Sequence, residues 1–430
     1  MRRVQLARGV LVISAFALLA GACSSEDTAD ESTTTTEASD SAADRGNVDG
    51  ELKLGAMVPQ TGDLNTIVDS LAEPIKMAID EINAADGVLG KPVELVVGDD
   101  GTSPTVAEAT YAKLVNTDKV DAIIGPAPSG VASKLAEKIG TDMVPTCSGS
   151  TTAANLEGVA DGYFFRTAPG DDLQGPALAE LIAGENNAKV AILARNDDYG
   201  KGFSESLETS LTEESGVEVT EVVLYNPESG SGYDADVEKA LEGSPDAVAV
   251  LGFNDDGAQI ITAMIGKDAG PDQINIYTAD GMQGSSFAKT VDPSDLSKVA
   301  GIRGTAPSSN PQGVEHPFTA EFAATGIDTI FSAYYYDCTI LMALAAQAGG
   351  SDAPADIQAN FAKNLEGEND CQTYADCKSL LGEGKTIHYR GASSAFENWN
   401  VMQPGTGVYD VWEYDSNGEV QTEEQQISIP

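Results

Sequence analysis

Two hydrophobic periods alternate along this chain. Short apolar segments with β-branched residues recur at Leu52 to Val58, Val93 to Val97, Val120 to Ile124, Val190 to Leu193, Val219 to Leu224, Ala247 to Leu251 and Ile274 to Tyr277. They read as buried strands. Between them the spacing lengthens to that of a helix. Ile67 to Ala84 places Leu71, Ile75, Ala78, Ile79 and Ile82 on one side, and Val106 to Val115, Gly200 to Leu211 and Asp255 to Ile265 follow the same logic. Strand, helix, strand in this order predicts an α/β fold with parallel sheets covered on both faces, where ligands sit beyond the carboxyl ends of the strands. The 430-residue length exceeds one core and implies two lobes. A pattern repeat agrees: Asp121-Ala-Ile-Ile-Gly125 and Asp246-Ala-Val-Ala-Val-Leu-Gly252 each read as a strand opening onto a helix start. Two lobes facing each other would bring both sets of strand-end loops into one cleft.

The start of the chain departs from this alternation. Arg2, Arg3 and Arg8 precede an apolar run from Val10 to Ala20 that is too short to span a bilayer comfortably, and small residues lead to Cys23. Residues 1–23 therefore read as an export signal. Leu19-Ala-Gly-Ala-Cys23 resembles the lipobox of bacterial lipoproteins, with Ala20 where a branched aliphatic is usual, and implies lipidation of Cys23. Residues 24–50 are dense in Ser, Thr, Ala, Asp and Glu and have few large apolar side chains, so they read as a disordered acidic tether. Beyond residue 50 no apolar run is long enough to cross a membrane.

Composition narrows the partners. A formal charge of −44 with only 24 Lys plus Arg excludes nucleic acid and docking on anionic lipid. Four cysteines besides Cys23 fit an oxidising exterior, and Cys371 and Cys377, close in sequence, are expected to form a local disulfide. Cys147 and Cys338 are then either bridged to each other or buried as small apolar residues. With no close second Cys or His pair, no zinc site is expected. The paired acids Asp99-Asp100, Asp171-Asp172, Asp197-Asp198 and Asp255-Asp256 lack the spacing of a calcium loop and read as turns and helix caps.

A set of ordered fragments carries a family resemblance. Leu54-Gly-Ala-Met-Val-Pro-Gln-Thr-Gly62, Ala78-Ile-Asp-Glu-Ile-Asn83 with Gly87 and Gly90, Val97-Gly-Asp-Asp100, Ile123-Ile-Gly-Pro126 with Ser129, and Phe165-Arg-Thr167 with Gln174-Gly-Pro176 appear in sequence. Together they resemble the extracellular solute-binding proteins of branched-chain amino acid ABC transporters, from residue 51 onward. The resemblance implies a type I periplasmic-binding-protein fold, with two Rossmann-like lobes joined by a three-crossing hinge. Residues 51–168 and 303–395 would form lobe 1, and 169–302 and 396–430 lobe 2. It also implies delivery of a small solute to a permease whose associated ATPase supplies the energy; with the lipobox this places the chain on the outer face of the cell membrane, and a monomer is the default expectation. No cofactor is expected.

An α-amino acid needs donors for its carboxylate and an acceptor for its ammonium. Ser129 is placed at the start of a helix running from Val131 to Ile139, and Ser148-Gly-Ser-Thr151 at the start of another. Helix starts with Ser or Thr hydroxyls make a neutral anion cradle, although such residues are also ordinary N-caps. By resemblance, Ser129, Gly149, Ser150 and Thr151 hold the ligand carboxylate. Tyr199, Phe253, Asn254 and Asp280 are expected on the opposite lobe. Asp280 stands where the family usually carries the Glu that pairs with the ammonium, and Phe253-Asn254 departs from the usual aromatic pair. The same fold could take another small solute, such as an amide, urea or a carboxylate, or serve as a sensor subunit. An exported serine hydrolase using Ser129 or Ser150 would need a base, and the only histidines are His316 and His388.

Overall fold

The computed structural model describes residues 48–229 and 232–430. Cys23, the basic and apolar leader, and the tether before Val48 lie outside the described residues.

The first sheet is wholly parallel, with strands in the order Glu94–Asp99, Lys53–Val58, Ala122–Ile124, Thr146–Ser148 and Phe164–Arg166. Its alternate side chains feed two cores. Leu54, Ala56 and Val58 pack with Leu71, Ile75 and Ile82, while Met57 packs with Tyr111, Leu135 and Ile139. Both faces are thus covered, as a near-continuous apolar strand requires. Helix Val68–Ala84 buries Leu71, Ile75, Ala78, Ile79 and Ile82, the stripe its periodicity predicts.

The second sheet has seven strands in the order Val420–Ile429, Gly407–Tyr414, Arg303–Pro307, Asn275–Thr278, Ala247–Leu251, Lys189–Arg195 and Glu218–Tyr225. From Arg303–Pro307 onward the pairs are parallel, and the first two strands add antiparallel at one edge. The chain crosses between lobes after Arg166, after Pro307 and between Pro404 and Gly407. Two segments differ from the sequence division. Arg303–Pro307 pairs with Asn275–Thr278 and so lies in the second sheet. The hairpin of Trp399–Asn400 and Gln403–Pro404 sits beside the first, where the Met402 carbonyl accepts from the Arg166 N–H and Gln403 accepts from Arg166 Nε. Buried strands of two similar sheets read alike in sequence, so nothing local marks the sheet to which each belongs.

Between the second and third crossings the chain returns to the first lobe through helix Ser332–Gly349, buried continuously from Ser332 to Ala346. It is apolar all round because it packs on helix Val68–Ala84 and on the first sheet. Cys338 on this helix is bonded to Cys147 on strand Thr146–Ser148, across 191 positions of sequence. Cys371 and Cys377 are bonded within a local loop. Among the described residues no helix is long and apolar enough to cross a membrane.

Candidate functional site

Strand ends from both sheets converge on a small cavity with about 20 Å³ of room for the centre of a water molecule. Leu64, Ile67, Ala127, Pro128, Ser129, Ser150 and Phe331 line it from the first lobe, and Tyr199, Phe253, Asp280 and Gly281 from the second. Among the described residues no Lys or Arg side chain lines it.

On the first lobe, Ser129 is the opening residue of helix Ser129–Asp142, as expected. Its buried Oγ accepts from the N–H groups of Thr152 and Ala153, each at 3.2 Å. A hydroxyl that accepts twice keeps its own proton for donation. The second expected helix start is absent. Residues 149–153 are irregular, and the first turn beyond them is the short Ala154–Leu156. Ser148 Oγ accepts from the N–H groups of Ser150 and Thr151, at 3.3 and 3.2 Å, as an N-cap would, but the chain closes only this one turn before residues 151–153 run on without helix.

The residues of this loop divide by role. Gly149 is turned to helix Ser332–Gly349, where a Cβ would come within 2.6–2.9 Å of Tyr335 and Tyr334. It serves close packing and does not line the cavity. Ser150 does line it, and its Oγ lies 3.1 Å from the Ala127 carbonyl and 2.9 Å from Tyr335 OH. Thr151 and Thr152 are buried, and their Oγ1 atoms make no close hydrogen bond among the described residues.

On the second lobe, Tyr199 rides on helix Asp198–Thr209, whose cap Asp197 accepts from the Gly200 N–H at 3.0 Å. Its ring stacks on Phe253 with centroids 5.3 Å apart, and its hydroxyl donates to Asp280 Oδ1 at 3.3 Å. Phe253 is in turn covered by the Arg195 guanidinium, 3.9 Å from the ring centroid. Gly281 admits nothing larger, since a Cβ there would meet the Gly252 carbonyl at 2.4 Å. Asn254 lies outside the cavity lining and instead donates from Nδ2 to Thr66 Oγ1 across the cleft at 2.7 Å. Burial raises the Asp280 carboxyl to about 7, against the opposing effect of hydrogen bonding from Gln174, the backbone and Tyr199.

The paired acids separate on inspection. Asp197 caps its helix; Asp256 accepts from the Phe253 N–H at 2.7 Å and pairs with Arg195; Asp100 accepts from Thr102 and Ala127. Asp171 is different. It opens helix Asp171–Gly184 in full burial, and its carboxylate makes no close hydrogen bond among the described residues, with only the Thr152 hydroxyl near enough to favour its charged form by hydrogen bonding. Burial and the neighbouring Asp280 both hold it well above the usual carboxylate range. The sequence reading as a cap missed it, because Asp at a helix start has an everyday explanation.

The serines have no histidine base. His316 accepts from the Phe318 N–H and bonds the Gln372 carbonyl, and His388 bonds the Ala395 carbonyl.

Two lobes closing on a small lined cavity define a solute-binding protein. The family model of periplasmic binding proteins matches residues 51–388, and the chain belongs to that family. The chemotactic signal transduction system substrate-binding protein BasB of Halobacterium salinarum is 26% identical over 369 residues, spanning 82% of this chain and 85% of the relative. The leucine-binding protein LivK of Thermotoga maritima superposes with a TM-score of 0.72 at 21% identity, covering 88% of this chain and 98% of that one. A solute-binding protein of an ABC transporter from R. palustris, in complex with benzoate, superposes at 0.67 with 17% identity, covering 87% and 95%. The fold is therefore the type I periplasmic-binding-protein fold, and the family implies an extracytoplasmic place.

Proposed function

We propose that this protein captures an α-amino acid with an apolar side chain in the interlobe cavity and delivers it to an ABC transporter permease. In this reading it works as a monomer, held to the outer face of the cell membrane by a lipid on Cys23. The observation that carries the reading is the asymmetry of the cavity. One wall offers hydroxyls without a cation, the other a buried carboxylate at Asp280, and Leu64, Ile67, Tyr199, Phe253 and Phe331 supply an apolar lining. A zwitterion matches that arrangement: its carboxylate meets Ser129 and the Ser150–Thr152 loop, its ammonium meets Asp280, and its side chain lies on the apolar residues. A plain carboxylate such as benzoate would bring a second negative charge into the cavity with no amine to offset Asp280.

A thermal-shift screen of the purified protein against amino acids, amides and small aromatic acids tests this, because a ligand that binds only the folded state raises Tm. Apolar amino acids should raise Tm by several degrees, with Asp280→Ala abolishing the shift and Ser129→Ala reducing it. A shift from benzoates alone would overturn the amino acid assignment. Mass spectrometry of the membrane-extracted protein should find a lipid-modified Cys23 as its first residue. Capture could equally feed a sensory receptor, a use that the name of the halobacterial relative states for that protein.

A further inference from the structure

A second space between the lobes lies outside the solute cavity. It offers about 440 Å³ of room for the centre of a water molecule, against about 20 Å³ in the cavity itself. Three parts of the chain enclose it. Helix Pro317–Ala323, which joins the first lobe by stacking Phe318 on Tyr336 with ring centroids 4.3 Å apart, contributes Phe318, Thr319 and Phe322. Strands Gly407–Tyr414 and Val420–Ile429 of the second lobe contribute Asp410, Glu424 and Gln426, and the second crossing contributes Ser309. Thr329 and Ser332 also border it, on either side in sequence of Phe331, which lines the solute cavity. One short segment thus faces both spaces.

The walls are rich in acceptors and short of donors. Gln426 Nε2 carries two hydrogens but faces three acceptors, Asp410 Oδ1 at 2.6 Å, Ser308 Oγ at 2.9 Å and the Asn310 carbonyl at 3.1 Å. At least one is left short. Ser309 is 8% exposed and its Oγ has no hydrogen-bond partner among the described residues, and neither has Thr319 Oγ1 on the helix wall. Charge points the same way. Asp410, Glu423 and Glu424 line the space, and among the described residues no Lys, Arg or His side chain does. Arg303 reaches Glu423 from outside the lining, but is shared with Glu185 and Glu413. Among the described residues no three acidic, His or Cys side chains come together as a metal site. An organic ammonium supplies both the charge and the N–H donors that the walls lack, and its alkyl part suits the two phenyl rings.

We propose that this pocket binds a small organic amine, with the ammonium at Asp410 and the Ser309 and Thr319 hydroxyls and the alkyl chain along Phe318 and Phe322. An amine held there touches the helix of one lobe, the strands of the other and the crossing between them. It therefore favours the closed arrangement and acts as an effector of solute capture from a site separate from the solute's own.

Butylammonium chloride is the probe, titrated into the purified protein by calorimetry against equal sodium chloride and against neutral butanol. One saturable site is expected for the amine and none for the alcohol. Asp410→Asn should weaken binding at least about tenfold, since Gln426 can still donate to the new amide oxygen while the charge is gone. Ala323→Trp fills the pocket from an exposed position without changing charge, so it should abolish binding in a folded protein. Asp280→Ala should leave the titration unchanged. In X-ray scattering, saturating butylammonium should reduce the radius of gyration of the ligand-free protein, and should fail to do so in Ala323→Trp. Binding that survives Ala323→Trp but disappears in Asp280→Ala would put the amine in the solute cavity and overturn the second site, as would equal binding of butanol or no saturable binding. A bound amine that leaves the radius of gyration unchanged would overturn the effector role.

Discussion

Asp280 and Asp171 set the empty protein against its own stability. Burial raises the Asp280 carboxyl to about 7 and holds Asp171 well above its usual range, so the folded chain binds protons that the unfolded chain has already released. The sign follows: their contribution is fully present below the unfolded value near pH 4, and is lost as pH rises through the folded values. Asp171→Asn removes the charge and should stabilise the ligand-free protein by about 1–3 kcal/mol at pH 8 while leaving it nearly unchanged at pH 4. Urea unfolding at the two pH values measures this, and equal shifts at both would show that charge is not the cause. The same pair shows what residue types alone reveal. Ser129 was placed by its ordered fragment and Tyr199 and Asp280 by resemblance, and all three line the cavity. Asp171 was not legible: its residue type and position suit a cap, and only its lack of close hydrogen bonds in three dimensions distinguishes it from Asp197 and Asp256.

At the scale of elements, the seven strands read from apolar runs are all present, with ends shifted by at most two residues, as in Val93 to Val97 against Glu94–Asp99. Burial on both faces makes the inner strands continuous in apolar character, which is why they stand out, whereas Glu94–Asp99 and Glu218–Tyr225, expected as buried strands, lie at sheet edges and are half-exposed along most of their length. The loop after Thr146–Ser148 did not read correctly, because Ser148 and Thr151 suit a helix start and a turn equally well. Its conformation is fixed instead by Gly149 lying against Tyr335, and by Ser150 bonding the same tyrosine. Gly149→Ala should therefore cost about 1–3 kcal/mol by overpacking, and should weaken ligand binding by displacing Ser150 although residue 149 does not line the cavity. Paired Tm and Kd measurements check this; a loss of stability with unchanged Kd would separate the loop from the site. The disulfide from Cys147 to Cys338 ties the preceding strand to the same helix, so replacing both cysteines with alanine should lower stability by about 2–5 kcal/mol.

Across the whole molecule, polar contacts beside the cavity join the two lobes, and the proposed closure would be held by them. Arg195 is held rigidly within the second lobe by Asp197 at 2.8 Å and Asp256 at 2.5 Å, and reaches Asp63 of the first lobe at 3.5 Å. Asn254 reaches Thr66 at 2.7 Å. The two contacts differ in weight. Asp63 is 41% exposed, so its ion pair is screened and contributes about 0–1 kcal/mol. Asn254 is fully buried, and its Oδ1 already lacks a partner among the described residues. Removing the Thr66 hydroxyl would leave the Nδ2 donor unpaired as well, at a cost of about 1–3 kcal/mol that falls on the closed form alone. Thr66→Val should therefore enlarge the radius of gyration of the ligand-free protein in X-ray scattering. It should weaken solute binding about 5–100-fold, chiefly through faster release, since a smaller fraction of the protein is competent to hold ligand. Asp63→Ala should weaken binding less than about fivefold, with the difference vanishing at high salt. Both residues lie outside the cavity lining, so an effect of either on affinity reports closure, and a Thr66→Val protein with wild-type affinity and dimensions would place the latch elsewhere.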